Sequence, residues 1–388
     1  MLSLLDVDIK GKQVLLRQDL NCPIQDGEIS DDSRLVAALP TIVACLQKGA
    51  ALTILSHRGR PKEGQYDAQC SLAPMAKALE NLLGKPVRLE RDIFSAKAPS
   101  PGEVVMAENV RFWSGEKAND AELSKRLAKL CDVFVMDAFA TAHRAQASTC
   151  GVIEYAPQAC AGPLLLSELS SLSDALTTPA RPLLAIVGGA KVSTKITLLS
   201  ELIKRVDALL LGGGIANTFL VAAGFSVGQS LHEPDFVDYA KEVMQQAKEL
   251  GVNIPLPMDV CVADSFAKDA SCRVCAVDEV KEHEMILDVG PVTASSYVAL
   301  LKPMQTVIWN GPVGVFEWPS FAKGTKALGE AIIESDAYTL AGGGDTVAAC
   351  AAFGWLDQLS YVSTGGGAFL EWLEGKCLPA VAALEKRG

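Results

Sequence analysis

The feature that most restricts the fold of this chain is a series of short, almost uninterrupted apolar runs separated by stretches of helical periodicity. Gln13–Arg17, Ala51–Ser56, Glu103–Ala107 and Val133–Asp137 form one set. Leu183–Val187, Ala208–Leu211, Thr306–Trp309, Tyr338–Ala341 and Ser360–Ser363 form a second. A strand that is apolar on both faces has to be covered on both, which is the situation of a strand in a parallel sheet with crossover helices above and below. The alternation therefore predicts an α/β chain of doubly wound, Rossmann-like parallel sheets that receive ligands outside the carboxyl ends of their strands.

Length decides how many such sheets there are. Single cores stop growing near ~250–300 residues, so 388 residues imply two domains. The boundary is expected between Gly162 and Pro182, where Leu164–Leu176 has apolar residues at helical spacing between Gly162-Pro163 and Thr178-Pro179. The expected organisation is a first domain over 1–163, a connecting helix within 164–180 and a second domain over 181–371. The segment Glu371–Leu384 is amphipathic, and the end of the chain, about 372–388, leaves two courses open: it returns to the first domain or stays with the second.

A net charge of −11 argues against a nucleic-acid or anionic-membrane partner, since both demand a basic surface. The charge is uneven, at −2 over residues 1–170 and −9 over the remainder, so the first half is relatively basic. The opening Met-Leu-Ser-Leu-Leu-Asp-Val-Asp has no basic segment leading into an apolar one, and no apolar run reaches about 18 residues. Eleven scattered cysteines, an odd number, read as reduced thiols in a cytoplasmic protein. Cys272-x-x-Cys275 has no second pair or histidine partner, so it does not read as a zinc or redox site.

Each strand of the first half runs into a polar or cationic cluster: Arg17-Gln-Asp19-Leu-Asn21, His57-Arg58-Gly59-Arg60, Asn109-Val-Arg111, and Asp137 to His143-Arg144. Arg34 follows the acidic turn Asp31-Asp32. One arginine is by default a surface ion pair worth ~0–1 kcal/mol. Several at successive strand ends require a polyanion to relieve their repulsion, and the planar guanidinium fork suits carboxylate or phosphate. His57 and His143 fit substrate contact better than acid–base work. Asp19 and Asn21 either contact a substrate or cap a turn.

The second half carries four glycine clusters, each after an apolar run: Gly188-Gly189, Gly212 to Gly214, Gly342 to Gly344 and Gly365 to Gly367. Glycine lets backbone N–H groups approach a phosphate, and a helix starting there adds a favourable dipole, although any one strand-to-helix turn can need glycine for its own sake. Neither G-x-x-x-x-G-K-[ST] nor G-x-G-x-x-G is present. Instead, Gly188-Gly189-Ala-Lys191-Val-Ser-Thr-Lys195 sets two lysines at i and i+4. We expect them on one face of a starting helix, where paired ammonium groups are unfavourable without an anion. Asp345 is expected either to cap a helix or to help hold Mg²⁺. Glu317, after Asn310-Gly-Pro312, suits ribose hydroxyls or plain solvation.

Taken together and in order, these motifs resemble the phosphoglycerate kinase family. The resemblance spans essentially the whole chain, through Val14–Pro23, Ser56–Pro61, Glu108–Phe112, Asp137–Ser148, Ala185–Lys195, Leu211–Phe219, Trp309–Glu317, Gly342–Thr346 and Ser363–Ala368. It implies that Asp19, Asn21, Arg34, His57, Arg60, Arg111 and Arg144 bind 3-phosphoglycerate. It also implies that Gly189, Lys191, Lys195, Gly213, Asn310, Pro312, Glu317, Gly343, Gly344, Asp345 and Thr346 bind ATP or ADP. Arg34, Lys191, Gly344 and Gly367 would stand at the transferring group, with Gly366 beside Gly367 at a helix start and Asp345 on Mg²⁺. Further implications are a monomer and a hinge that closes two domains. The chain departs from the family's usual residues at Gln18, Cys22, Arg58 and Ala140, none of which replaces an expected charged contact.

Rival functions fit less well. A nicotinamide-dependent dehydrogenase would need the dinucleotide fingerprint that is missing. A non-catalytic metabolite-binding protein would leave Lys191, Lys195 and Asp345 unexplained.

Overall fold

The computed structural model describes residues 1–387. The chain divides into two compact units, one of Met1–Ser170 together with the segment from Cys377 onward, the other of Ser171–Lys376. The division falls inside the helix Pro163–Leu176.

In the first unit the strands are β1 (Gln13–Arg17), β2 (Ile24–Gln25), β3 (Glu28–Ile29), β4 (Ala51–Leu55), β5 (Val87–Glu90), β6 (Val104–Ala107), β7 (Val133–Met136) and β8 (Gln158–Ala161). Six of them form a parallel sheet in the order β5-β6-β4-β1-β7-β8, and β2 and β3 make a small separate hairpin. The central strands are buried along almost their whole length, as their composition requires. Leu16, Leu52, Ile54 and Val135 pack with Leu35, Ile42 and Leu79 from the covering helices Ser33–Gln47 and Ala73–Leu83. The C-terminal helix Pro379–Arg387 lies on this unit, where Arg387 donates to the carbonyls of Glu154 and Ala156.

The second unit contains β9 (Leu183–Val187), β10 (Ala208–Leu211), β11 (Asp259–Ala263), β12 (Arg273–Ala276), β13 (Met285–Val289), β14 (Thr306–Asn310), β15 (Tyr338–Gly342) and β16 (Tyr361–Ser363). A five-stranded parallel sheet runs β10-β9-β14-β15-β16, and an antiparallel sheet runs β12-β11-β13.

The nine apolar runs all became strands of the parallel sheets. The edge strands β5 and β8 and the antiparallel sheet were not anticipated. Val-Arg-Leu-Glu in β5 and Gln-Ala-Cys-Ala in β8 lack the continuous apolar character that marks a strand covered on both faces. Cys261 and Cys272 lie side by side, with their Cα atoms 5.8 Å apart. The cysteine that Cys272 approaches is thus Cys261 of the adjacent strand, while Cys275 is a buried thiol. Burial pushes the thiols of Cys45, Cys131, Cys160 and Cys350 up to about 12, so they serve as small apolar groups.

The core of the second unit centres on Trp309, fully buried, with its indole N–H donating to the Gly311 carbonyl and its ring 6.0 Å from that of Trp355. Gly329, within the helix Lys323–Ile333, admits the Trp355 ring so closely that an added Cβ would lie 2.1 Å from it. Helix propensity alone favours Gly329→Ala by about 0.5–1 kcal/mol. We expect the opposite: a lower urea midpoint by tryptophan fluorescence, reflecting an overpacking cost of about 1–3 kcal/mol. A raised midpoint would show that the ring moves aside freely.

Candidate active site

The four polar clusters of the first half follow β6, β4, β1 and β7, which are consecutive neighbours in the sheet. The residues after these strands therefore emerge side by side at the carboxyl edge, the expected place for a ligand in an open α/β sheet.

At the end of β1, Arg17 is completely buried. Its Nε donates to Ser148 Oγ at 3.1 Å, one Nη to the Gln18 carbonyl, and its other Nη lies 3.3 Å from His57 Nδ1. Ser148 Oγ in turn donates to Glu116 at 2.6 Å, so a buried guanidinium faces a buried carboxyl across one hydroxyl. Burial lowers the Arg17 pKa, and raises that of Glu116. Sequence reasoning did not single out Glu116 and Ser148, because neither stands at a strand end.

Asp19 accepts from Arg34 Nη1 at 2.6 Å and from the backbone N–H of Asn21 at 3.2 Å. Burial opposes ionisation of Asp19, but His57, Arg34 and Arg17 outweigh it and hold the carboxyl below its usual range. His57 is 3.7 Å from Asp19, and burial, reinforced by Arg17, Arg111 and Arg144, pushes its pKa down to about 3 despite that carboxylate. His57 is accordingly neutral near pH 7, and Arg34 and Arg17 are the charges that keep Asp19 ionised.

Asn21 and Arg111 fix the β4 loop between them: Asn21 Oδ1 accepts from Gly59 N–H at 3.1 Å, and Arg111 donates to the Gly59 carbonyl. Gly59 has φ +61°, which a side chain would strain. Arg111 is buried, and burial together with Arg144 and Arg17 lowers its pKa to about 10. Its Nε is buried without a partner. Arg144 half-emerges beside His143, to whose ring it donates at 3.1 Å, and burial brings His143 down to about 4. Arg60 is exposed. Arg58, where the family's usual residue is different, donates to the Ser71 carbonyl and so fastens the neighbouring loop.

In the second unit all five parallel strands end in a glycine turn at the same edge. Close backbone packing explains part of this. A Cβ on Gly188 would lie 1.9 Å from the Pro312 carbonyl oxygen, and one on Gly214 2.2 Å from that of Ala190. Gly344 and Gly366 meet nothing within 4 Å, so their backbone faces open space. Gly343, at φ +97°, precedes the helix Gly344–Phe353, and Gly366 precedes the helix Gly367–Leu373.

The expected helical pairing of Lys191 and Lys195 is not found. Residues 190–195 form a turn, and the helix begins at Ile196, because Glu233 accepts from both the backbone N–H and the hydroxyl of Ser193 and holds the turn in place. Lys191 is exposed. Lys195 folds inward, where Nζ donates to the Gly188 carbonyl at 2.6 Å, the Asn310 carbonyl at 3.1 Å and Asn310 Oδ1 at 2.6 Å. Burial lowers its pKa to about 8, against the attraction of Asp345.

Asn310 also donates to the Gly342 carbonyl, and Thr346 Oγ1 accepts from Gly311 N–H at 2.7 Å, tying the turns after β14 and β15 together. Asp345 is an exposed residue of the first helical turn, with Gly343 rather than Asp345 as the N-cap. Gly189 and Gly213 adjoin one another, Pro312 is half-buried, and Glu317 stands exposed on the following turn. Gly367 is exposed at its helix start.

Two parallel α/β sheets, one edged by buried arginines and the other by open glycine turns with an inward lysine, define the class: a two-unit α/β phosphotransferase. The phosphoglycerate kinase family model matches residues 4–376. Phosphoglycerate kinase from Legionella pneumophila (strain Paris) is 56% identical over 387 residues, covering 100% of this chain and 98% of that protein. The enzyme from Francisella philomiragia is 54% identical over 386 residues, with the same coverage. The structure of phosphoglycerate kinase from Coxiella burnetii is similar with a TM-score of 0.95 and 52% identity, covering 100% of this chain and 99% of that one. That from Pyrococcus horikoshii gives 0.85 at 32% identity, with coverage of 99% and 98%. The chain belongs to the phosphoglycerate kinase family, whose members are phosphotransferases with a carboxyl group as acceptor, and its activity is the glycolytic one of that family.

The depressed pKa of His57 has a consequence for stability. Between its ordinary value near 6.5 and about 3, the unfolded chain takes up a proton that the folded one refuses, so stability is lost as pH falls through this window. We expect His57→Gln to flatten that loss by on the order of a few kcal/mol, measured as the difference in urea unfolding free energy between pH 7 and pH 4. An unchanged slope would mean that His57 charges in the folded state.

Proposed function

We propose that the chain transfers a phosphoryl group reversibly between 1,3-bisphosphoglycerate and MgADP, with 3-phosphoglycerate and MgATP as products. Asp19, Asn21, Arg34, His57, Arg60, Arg111 and Arg144 bind the phosphoglycerate. Gly189, Gly213, Asn310, Pro312, Glu317 and Gly343 line the nucleotide site, and Lys191, Lys195, Gly344, Thr346 and Gly367 face its phosphates. What supports the first assignment above all is the buried, partnerless Nε of Arg111, whose pKa is lowered by burial and by the neighbouring Arg144 and Arg17. A bound anion would supply both the missing partner and the missing charge.

In the direction of ATP use, a carboxylate oxygen of 3-phosphoglycerate attacks the terminal phosphorus, the bond to the β–γ bridging oxygen breaks, and ADP leaves with that electron pair. In reverse, a terminal phosphate oxygen of ADP attacks the acyl phosphate and the carboxylate leaves. Both nucleophiles are already ionised near pH 7, so no general base is needed. The neutral state of His57 and His143 agrees with that requirement. Arg34 and Lys191 stabilise charge on the transferring group, and the N–H groups of Gly344 and Gly367 orient it. Asp345 would hold Mg²⁺: a single exposed carboxylate at the head of a helix suits an ion held by one or two carboxylates and by substrate phosphates. When bound, the ion neutralises phosphate charge.

Arg34→Ala and Lys191→Ala are each expected to lower kcat by ~10²–10³ while leaving nucleotide KM within a few-fold, as measured by coupled formation and reduction of 1,3-bisphosphoglycerate. Normal turnover in both variants would remove these roles. Direct transfer also requires water to be excluded, and we infer that the helix Pro163–Leu176 and the segment after Gly367 act as a hinge that closes the two units around their substrates. Small-angle scattering should then show a smaller radius of gyration with both substrates than with either alone. An identical profile would contradict closure. We place the enzyme in the cytoplasm as a monomer, as the family resemblance implies. Among the described residues no helix is long and apolar enough to cross a membrane.

A further inference from the structure

The second unit contains a cavity of about 580 Å³ that none of the residues assigned above lines. Its walls come from the helices Pro291–Leu301 and Lys323–Ile333 and from β11, β12 and β13. Much of the lining is apolar, through Val274, Ala294, Val298 and Ala327, and the volume falls in the range of small-molecule sites, about 300–1,000 Å³.

Two lysines, Lys302 and Lys323, belong to the same lining, and both are exposed. The acidic residue of the wall, Asp288, already has its oxygens engaged. One accepts from Val289 N–H at 2.9 Å and the other from Gly324 N–H at 2.8 Å. Burial raises its carboxyl to about 7, which further reduces the negative charge it presents near neutrality. An apolar chamber bordered by two lysines is complementary to a molecule with an apolar body and one anionic group.

We propose that this cavity is a second small-molecule site, which takes an amphiphilic anion such as an aromatic or short-chain carboxylate. The apolar body lies against Val274, Ala294, Val298 and Ala327, and the carboxylate meets Lys302 and Lys323.

The probe is 2-naphthoate, titrated into the full chain by isothermal calorimetry. A ligand of this size is expected to bind with Kd on the order of 0.1–1 mM. The double variant Lys302→Ala/Lys323→Ala should weaken binding at least tenfold and leave the fold intact, since both residues are exposed. Ala327→Trp should abolish binding by filling the chamber, and neutral 2-naphthol should bind more weakly than the acid. Lys191→Ala should change nothing. Absence of binding, equal binding in the lysine double variant, or loss of binding in Lys191→Ala alone would each overturn the proposal. If Ala327→Trp fails to fold, the lysine variant still decides.

Discussion

The in-register parallel pairing of each sheet is the constraint on which the sites depend. In the first unit Arg17 pairs with Leu55 on one side and Met136 on the other, and Ile54 with Met106. In the second, Asn310 pairs with Val187, Leu211 with Val187, and Gly342 with Ser363. Adjacent strands thus end level, and each following turn is delivered to the same edge. A slip of one residue would turn every side chain to the opposite face and bury the polar termini in the core. The hydrophobic continuity of the strands, which gives no direct sign of function, is what sets the arginines and the glycine turns in line.

The two edges present different chemistry. The first concentrates fixed positive charge and has to support it internally: a lone buried ion is prohibitively unfavourable, and Arg17 is sustained by the Ser148 hydroxyl that links it to Glu116. Arg34 is sustained by Asp19. What is left over is a set of guanidiniums more numerous than the carboxylates beside them. The second edge presents backbone N–H groups, which carry no net charge to desolvate, and its inward-folded Lys195 is held by three oxygens. Such a lysine is a fixed element of the turn as much as a group free to seek an anion.

The legibility of this molecule in its sequence followed the same division. Strands covered on both faces announce themselves by composition, so all nine were visible, whereas β5 and β12 carry charged residues and are only partly buried, and β11, although buried throughout, begins on a charged residue, Asp259. Residues that sit after a strand, such as Asp19, His57 and Arg111, could be found because position carries the signal. Glu116, Ser148 and Glu233 act from elsewhere in the chain: Glu116 is 32 residues from Ser148, Ser148 is 131 from Arg17 and Glu233 is 40 from Ser193, and nothing local marks them. Lys191 and Lys195 show the limit of spacing alone. The i, i+4 relation has meaning only inside a helix, and Glu233 holds Ser193 in a turn before the helix starts.

Perturbed ionisation also has to be judged by what the group touches. Asp137 and Asp288 have carboxyls raised by burial to about 6 and about 7, values that would suit a general base. Neither is placed to act as one. Asp137 accepts from Leu165 N–H and so caps the helix Pro163–Leu176, while Asp288 accepts from Gly324 N–H at the start of Lys323–Ile333. Asp259 does the same for Val292 and Thr293 at the start of Pro291–Leu301. Each of the three satisfies the orphan donors of a helix distant in sequence, and for Asp137 and Asp288 the burial that this demands raises the carboxyl. Asp137 and Asp288 are thus cap residues, and the transfer of a phosphoryl group between oxygens that are already anionic leaves no proton for them to move.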